Sequence, residues 1–192
     1  NIHCLDYIDT DIGPYREIAI SIATHPATGF LPGPIKTLAS AAKFNFHAYV
    51  LHLPVNTEIS AVGGQKIFNF PKTLRDIDIR DTGAHRIFTL RDHENLKMIM
   101  EIECKNIKTK HHPQNTKLSR FNIYTYLDPE NRFRRAIFKI NQVEKGMSFL
   151  WPCISLRFGD HPMAKKIEAL GLGKQIHAIS SPHFEGILDL EG

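Results

Sequence analysis

Lys72 closes the stretch IFNFPKTL, residues 67–74, directly behind an aromatic-proline pair and at the end of a short apolar run. Lysine is rarely buried without a partner, so the position has two readings: a surface residue just past a turn, or an amine held in a dry site. The second would carry specific chemistry. An exposed ammonium keeps its proton to about pH 10.4, whereas burial can bring proton loss down to roughly pH 5–6. A neutral amine attacks a carbonyl carbon, and the iminium that follows withdraws electrons, so a bond β to it can break and leave an enamine. By residue type alone, the surface reading is the commoner one.

Other side chains with chemical potential carry less. The eleven histidines form no H-x-x-x-H or H-E-x-x-H spacing, and the adjacent pair His111-His112 would point to opposite sides of an extended segment, so no metal site is indicated. His161 reads as serving a helix start, and His183 as a core residue or a group of the site, with the structural role preferred for both. Cys4, Cys104 and Cys153 are odd in number, far apart and in no C-x-x-C arrangement, which indicates neither a disulfide framework nor zinc and suits a reducing cytoplasm. Gly63-Gly64 lacks the spacing of a phosphate loop.

The elements that must position Lys72 come from a chain of 192 residues, 42% hydrophobic and 23% charged, the size and balance of one globular domain. No run approaches the roughly 20 apolar residues of a membrane span. The opening NIHCLDYID has no secretory-signal pattern, and the chain starts on Asn1 without a methionine, so an N-terminal part is expected to be missing. Much of the +4 net charge lies in KNIKTKHHPQNTK, residues 105–117, which reads as a solvated loop or hairpin tip. No nucleic-acid-binding signature accompanies it.

Period-2 patterns dominate. In YREIAISIAT (15–24), Ile18, Ile20 and Ile22 alternate with Glu17, Ala19 and Ser21, the signature of a half-buried strand. Further strands are expected over 46–55, 75–81, 85–92, 96–105, 120–127, 132–143 and 175–190, with hairpin turns at 81–83 and 128–131. Helix is confined to 160–173, with Asp160 as N-cap and Pro162 in the first turn, and to a short piece over 57–64 that its two glycines should end early. Residues 25–34 read as a long loop. The expected fold is mainly β, a β-rich α+β domain whose antiparallel sheet closes barrel-like to protect its edges, with a few short helices.

Four dispersed segments, in order, resemble a known family. GGQKIFNFPKTL (63–74) is similar to the reactive-lysine segment of the acetoacetate decarboxylase-like superfamily, and YVLHLPVNTEISAV before it to the strand and short helix leading in. PYREIAISI (14–22) resembles the strand bearing an active-site glutamate, and LRFGDHPMAKKIEALGLGKQIHAISSPHFEGIL the closing strand, helix and strand. The resemblance implies one domain over 1–192 and a homo-oligomer, with no cofactor, Lys72 as Schiff-base nucleophile and Glu17 as its acid/base partner. It places Phe70, Phe68 and His3 near the substrate, a short keto acid or other small carbonyl compound. His3 falls where the family has a second glutamate, and the family's carboxylate-binding arginine lies upstream of Asn1. Thr73 stands in place of a second lysine, so activation beside another cation is absent; Gln65 and Lys66 replace an arginine and a glutamate. The implied activity is decarboxylation of a β-keto acid or related aldol or dehydration chemistry. The alternative is a non-catalytic barrel that binds an apolar or carbonyl-containing ligand.

Overall fold

The structure, a computed structural model, describes residues 1–24, 45–111, 118–125 and 134–190. In chain order the strands are β1 (Ile2–Tyr7), β2 (Tyr15–Ala23), β3 (Asn45–Val55), β4 (Lys72–Leu74), β5 (Asp76–Asp81), β6 (His85–Arg91), β7 (Met98–Lys105), β8 (Lys110–His111), β9 (Ser119–Thr125), β10 (Arg134–Gln142), β11 (Glu144–Phe149), β12 (Ile154–Phe158), β13 (His177–Ser180) and β14 (Phe184–Leu190). The helices are α1 (Glu58–Phe68) and α2 (Pro162–Glu168). Two compact units form, the first from the described parts of 1–73, 112–143 and 183–192, the second from 74–111 and 144–182.

The first unit is built on a seven-stranded sheet in the order β1-β2-β3-β9-β10-β14, with β4 beside β3. Neighbours along this path are antiparallel except β3 and β9, which run parallel. Ala19, Val50, Leu53 and Ala136 cluster with Phe70, and Phe68, Ile123 and Leu188 close around them; Val50 and Leu53, three apart on β3, join one cluster across the irregularity in the ladder. A register shift between Ile20 and Ser21 bends the β2–β3 ladder. The sheet curls until its end strands come near each other: Tyr7 on β1 meets Phe184 on β14 edge to face at 5.9 Å. Among the described residues no ladder joins these strands, so the sheet is a half-barrel rather than the closed barrel expected.

The second unit holds the antiparallel sheet β12-β7-β6-β5 and the smaller sheet β13-β11-β8. Leu90, Ile99 and Met100 at its centre are fully buried. The expected turn at 81–83 joins β5 to β6, with Gly83 at φ +79°, a backbone region glycine enters freely. The helix start is at His161, not Asp160: His161 Nδ1 accepts the Met163 N–H at 3.1 Å, while exposed Asp160 pairs with Lys165.

Other expectations shift for local reasons. The 175–190 pattern divides into β13 and β14, which belong to different sheets, and the 132–143 strand stops at Gln142 before β11 begins. β1 forms although its mixed sequence gave no strand signal. Within the basic stretch, Lys105, Lys108, Lys110 and His111 are exposed, as a solvated segment should be, and the pair Lys110–His111 ladders with β11. The loop at 25–34 and the turn at 128–131 lie outside the described residues.

Candidate active site

Helix α1 follows Thr57, which is extended, and buries Ser60, Ala61 and Gly64 on one face. It runs on through both glycines, past the early stop expected from them, and ends where Asn69 takes the left-handed conformation, φ 57°, with its N–H on the Gln65 carbonyl. The chain then folds back on the helix. Phe70 N–H donates to the Gly64 carbonyl at 3.0 Å and Lys72 N–H to the Phe70 carbonyl at 2.8 Å, a tight turn centred on Pro71, which has no N–H to strand. Thr125 Oγ1 donates to the Asn69 carbonyl at 2.9 Å, and Gln65 Nε2 to the Lys72 carbonyl at 2.6 Å.

This reversal lays the Lys72 stem along the buried face of α1. A Cβ on Gly64 would stand 2.3 Å from Lys72 Cδ and 2.7 Å from Cε, whereas one on Gly63 would meet nothing. The second glycine is therefore a slot for the lysine. One turn earlier on the same face, Ser60 Oγ accepts from Lys72 Nζ at 3.0 Å.

Strand β2 supplies the counter-charge. Alternation puts Tyr15, Glu17 and Ala19 on one face, where β1 sets Tyr7, Leu5 and His3 opposite them. Glu17 Oε2 lies 2.9 Å from Lys72 Nζ, with the two side chains 9% and 7% exposed, and Nζ lies 5.0 Å from the centre of the Tyr15 ring. An ammonium has three N–H donors. Carboxylate, hydroxyl and aromatic face offer it three partners, which a buried charge needs. The rings of Tyr7 and Tyr15 stack at 4.5 Å. Burial, and next the Glu17 charge, hold both phenols well above the ordinary range for tyrosine.

Of the residues singled out in the sequence, the structure brings Lys72 and Glu17 together. Phe70, 3% exposed, is a core residue beneath them, and Phe68 stacks on it at 5.5 Å while remaining partly exposed. His3 shares the Glu17 face but sits opposite Ala19, with its ring edge-on to Phe121 at 6.1 Å. Lys66 and Thr73 are exposed, as is His183. Tyr15 and Ser60 were missed. The available signals were the two-residue offset of Tyr15 from Glu17, which places them on one strand face, and the four-residue offset of Ser60 from Gly64, one helical turn. No group of His, Cys, Asp and Glu among the described residues is arranged to hold a metal.

The first unit is thus a curled β half-barrel that buries a lysine against a carboxylate and a hydroxyl. The acetoacetate decarboxylase (ADC) family model matches residues 1–186, and the chain belongs to that family. Acetoacetate decarboxylase from Legionella pneumophila subsp. pneumophila str. Philadelphia 1 is similar in fold, with a TM-score of 0.59 at 14% identity over 98% of this chain and 69% of that one. A second acetoacetate decarboxylase structure gives 0.57 at 14% over 98% and 70%. The enduracididine biosynthesis enzyme MppR, complexed with pyruvate, gives 0.55 at 11% over 94% of this chain and 65% of that one. No curated protein sequence matches the chain. The family supports an enzyme, and no helix among the described residues is long and apolar enough to cross a membrane.

Proposed function

We propose that the protein is a Schiff-base-forming lyase that decarboxylates a short β-keto acid, with aldol-type condensation or dehydration of small carbonyl compounds as the close variant. The observation that carries this reading is the buried contact of 2.9 Å between Lys72 Nζ and Glu17 Oε2. Glu17 takes a proton from the ammonium, and the freed amine adds to the substrate carbonyl. Glu17 returns the proton to the carbinolamine hydroxyl, water leaves, and an iminium remains. The bond to the carboxylate then breaks, its electron pair passes into the iminium to give an enamine, and carbon dioxide departs. A proton delivered through Glu17 to the enamine carbon, followed by hydrolysis, releases the ketone and restores Lys72. General acid/base work of this kind contributes about 10²–10⁴ in rate. The variant is supported by MppR, whose structure with the condensation product of pyruvate and imidazole 4-carboxaldehyde has the same fold.

In this reading the chain is a single cytoplasmic domain that needs no cofactor. Phe68, Phe70 and His3 form the apolar and aromatic surroundings of the substrate, and a homo-oligomer covers exposed sheet edges. Borohydride reduction in the presence of a panel of keto acids, followed by peptide mass analysis, tests it. A substrate-sized mass on the peptide containing Lys72 is expected. No adduct with any member of the panel would overturn the enzyme and leave a half-barrel that binds its ligand without covalent chemistry.

A further inference from the structure

We propose that Ser60 is a positioning residue for the Lys72 amine. This rests on the reading of Lys72 as the nucleophile. The sequence that provides the slot at Gly64 also provides Ser60 one turn away on the same face of α1, where it is 1% exposed. A lysine side chain has four rotatable bonds, and a slot alone confines its stem without fixing its tip. Two elements fix the tip here: β2 through Glu17 Oε2 at 2.9 Å and α1 through Ser60 Oγ at 3.0 Å.

Serine suits this task because its hydroxyl accepts and donates at once. Here it accepts from Nζ at a fully buried position on α1. The arrangement matters most after the proton has moved to Glu17. The neutral amine still has an N–H to place on Ser60, so the direction of its lone pair stays defined when a carbonyl arrives. The ionisable groups facing Nζ among the described residues are Glu17 and Tyr15 of β2, with Tyr7 of β1 behind Tyr15; from α1 only the non-ionising Ser60 faces it.

The test combines Ser60→Ala, Ser60→Cys and Ser60→Thr. Each intact protein is followed in two ways: borohydride trapping of a keto acid against pH, and NMR titration of the Lys72 Cε–Nζ signals without any carbonyl compound, assigned by their loss in Lys72→Arg. Ser60 accepts from the charged amine and so favours that form. Its removal should move the acid limb of trapping, and the NMR titration with it, about one pH unit lower, while the plateau rate falls about tenfold. Ser60→Cys, nearly the same shape with a weak acceptor, should behave like Ser60→Ala; Ser60→Thr should restore both readouts. A residue that merely packs would alter the melting temperature and leave both pH dependences in place, and that result overturns the proposal even if one variant fails to fold. If the Lys72 NMR titration shifts in Ser60→Ala relative to the wild type, yet no carbonyl compound is trapped, the positioning role stands and the Schiff-base reading falls.

Discussion

Each unit draws an acid–base pair away from water, and the two pairs differ in what else they do. In the second unit His161 Nε2 stands 3.4 Å from Asp92 Oδ2, both side chains 13% exposed. The other nitrogen of His161 caps α2 by accepting the Met163 N–H, and Asp92 closes a turn by accepting the N–H groups of Glu94 and Asn95. Each of the two side chains thus turns its other polar atom, Nδ1 or Oδ1, to backbone that the fold would otherwise leave bare. In the first unit Lys72 and Glu17 are more deeply buried, yet the contacts of Nζ go to side chains: a carboxylate, a hydroxyl and a ring. They end no helix and close no turn. Burying an ion pair costs several kcal/mol per ion in desolvation, and well-packed apolar residues often serve stability as well or better. A pair that is expensive to bury and idle as scaffold is better understood as retained for chemistry.

The largest effect should come from removing the amine. Lys72→Arg keeps a cation for Glu17, but guanidinium stays protonated and cannot attack a carbonyl. Borohydride trapping should vanish while circular dichroism is unchanged; retained trapping would remove Lys72 from the chemistry. The same pair separates cost from function in thermal melts. Glu17→Gln leaves an ammonium without its carboxylate and should cost about 3–5 kcal/mol, whereas the double change Lys72→Met with Glu17→Leu should be neutral or gain about 1–4 kcal/mol. In the second unit, His161→Ala loses a cap and should cost only about 1 kcal/mol, with no gain from apolar replacement of Asp92, because backbone N–H groups would be orphaned. A double change in the first unit as damaging as Glu17→Gln alone would mean that the pair holds the fold and that the contrast is false.

A middle-sized effect distinguishes two adjacent glycines. Gly64→Ala puts a methyl where the Lys72 stem runs, and the stem must leave its slot. Trapping should fall by about 10²-fold, the scale of an ångström's misplacement. Gly63→Ala has open space and should trap like the wild type, with slightly higher helix stability. Equal behaviour of the two variants would show that the lysine does not lie along α1.

The same residues mark how far the sequence could be read. Strands such as β2, β6 and β7 were legible from their β-branched and alternating residues, although the middles of β2 (Glu17–Ser21) and β6 (Ile87–Leu90) are buried on both faces rather than half-buried as the alternation suggested. The ends of elements were not: Ser181-Pro182 carries the chain from one sheet to another, and nothing in an alternating pattern says which sheet comes next. The glycines read as a helix stop because propensity penalises them. Tertiary contact with Lys72 outweighs that penalty, and such a contact is invisible until the chain reversal at Asn69 is known. Lys72 and Glu17 came from a resemblance, and alternation alone put Glu17 on a face without saying what it would meet. Tyr15 and Ser60 were missed because each is ordinary as a residue type; their meaning lies in pointing at one nitrogen from a strand and a helix. Half-barrel rather than barrel was equally out of reach, since closure depends on whether the end strands pair, which strand patterns do not encode.

The smallest expected effect is none at all, at the residue next to the amine. Thr73 stands where the resembling family carries its second lysine, so Thr73→Lys invites the expectation that a neighbouring cation would destabilise the Lys72 ammonium and move the trapping profile to lower pH. The structure argues otherwise. Lys72 and Thr73 are successive residues of β4, the first buried and the second exposed, and successive side chains of a strand point to opposite faces. A lysine at 73 would extend into water, where its charge is screened within about 8–10 Å and its flexible stem would hold the ammonium further out. Glu17 and Ser60 would stay in direct contact with Nζ from the buried side. The pH–trapping profile of Thr73→Lys should therefore superpose on the wild type within about 0.3 units, whereas Ser60→Ala displaces it. A clear acid shift in Thr73→Lys would mean that the two amines share one space, that β4 turns its exposed face toward the site, and that charge rather than the hydroxyl of Ser60 governs this lysine.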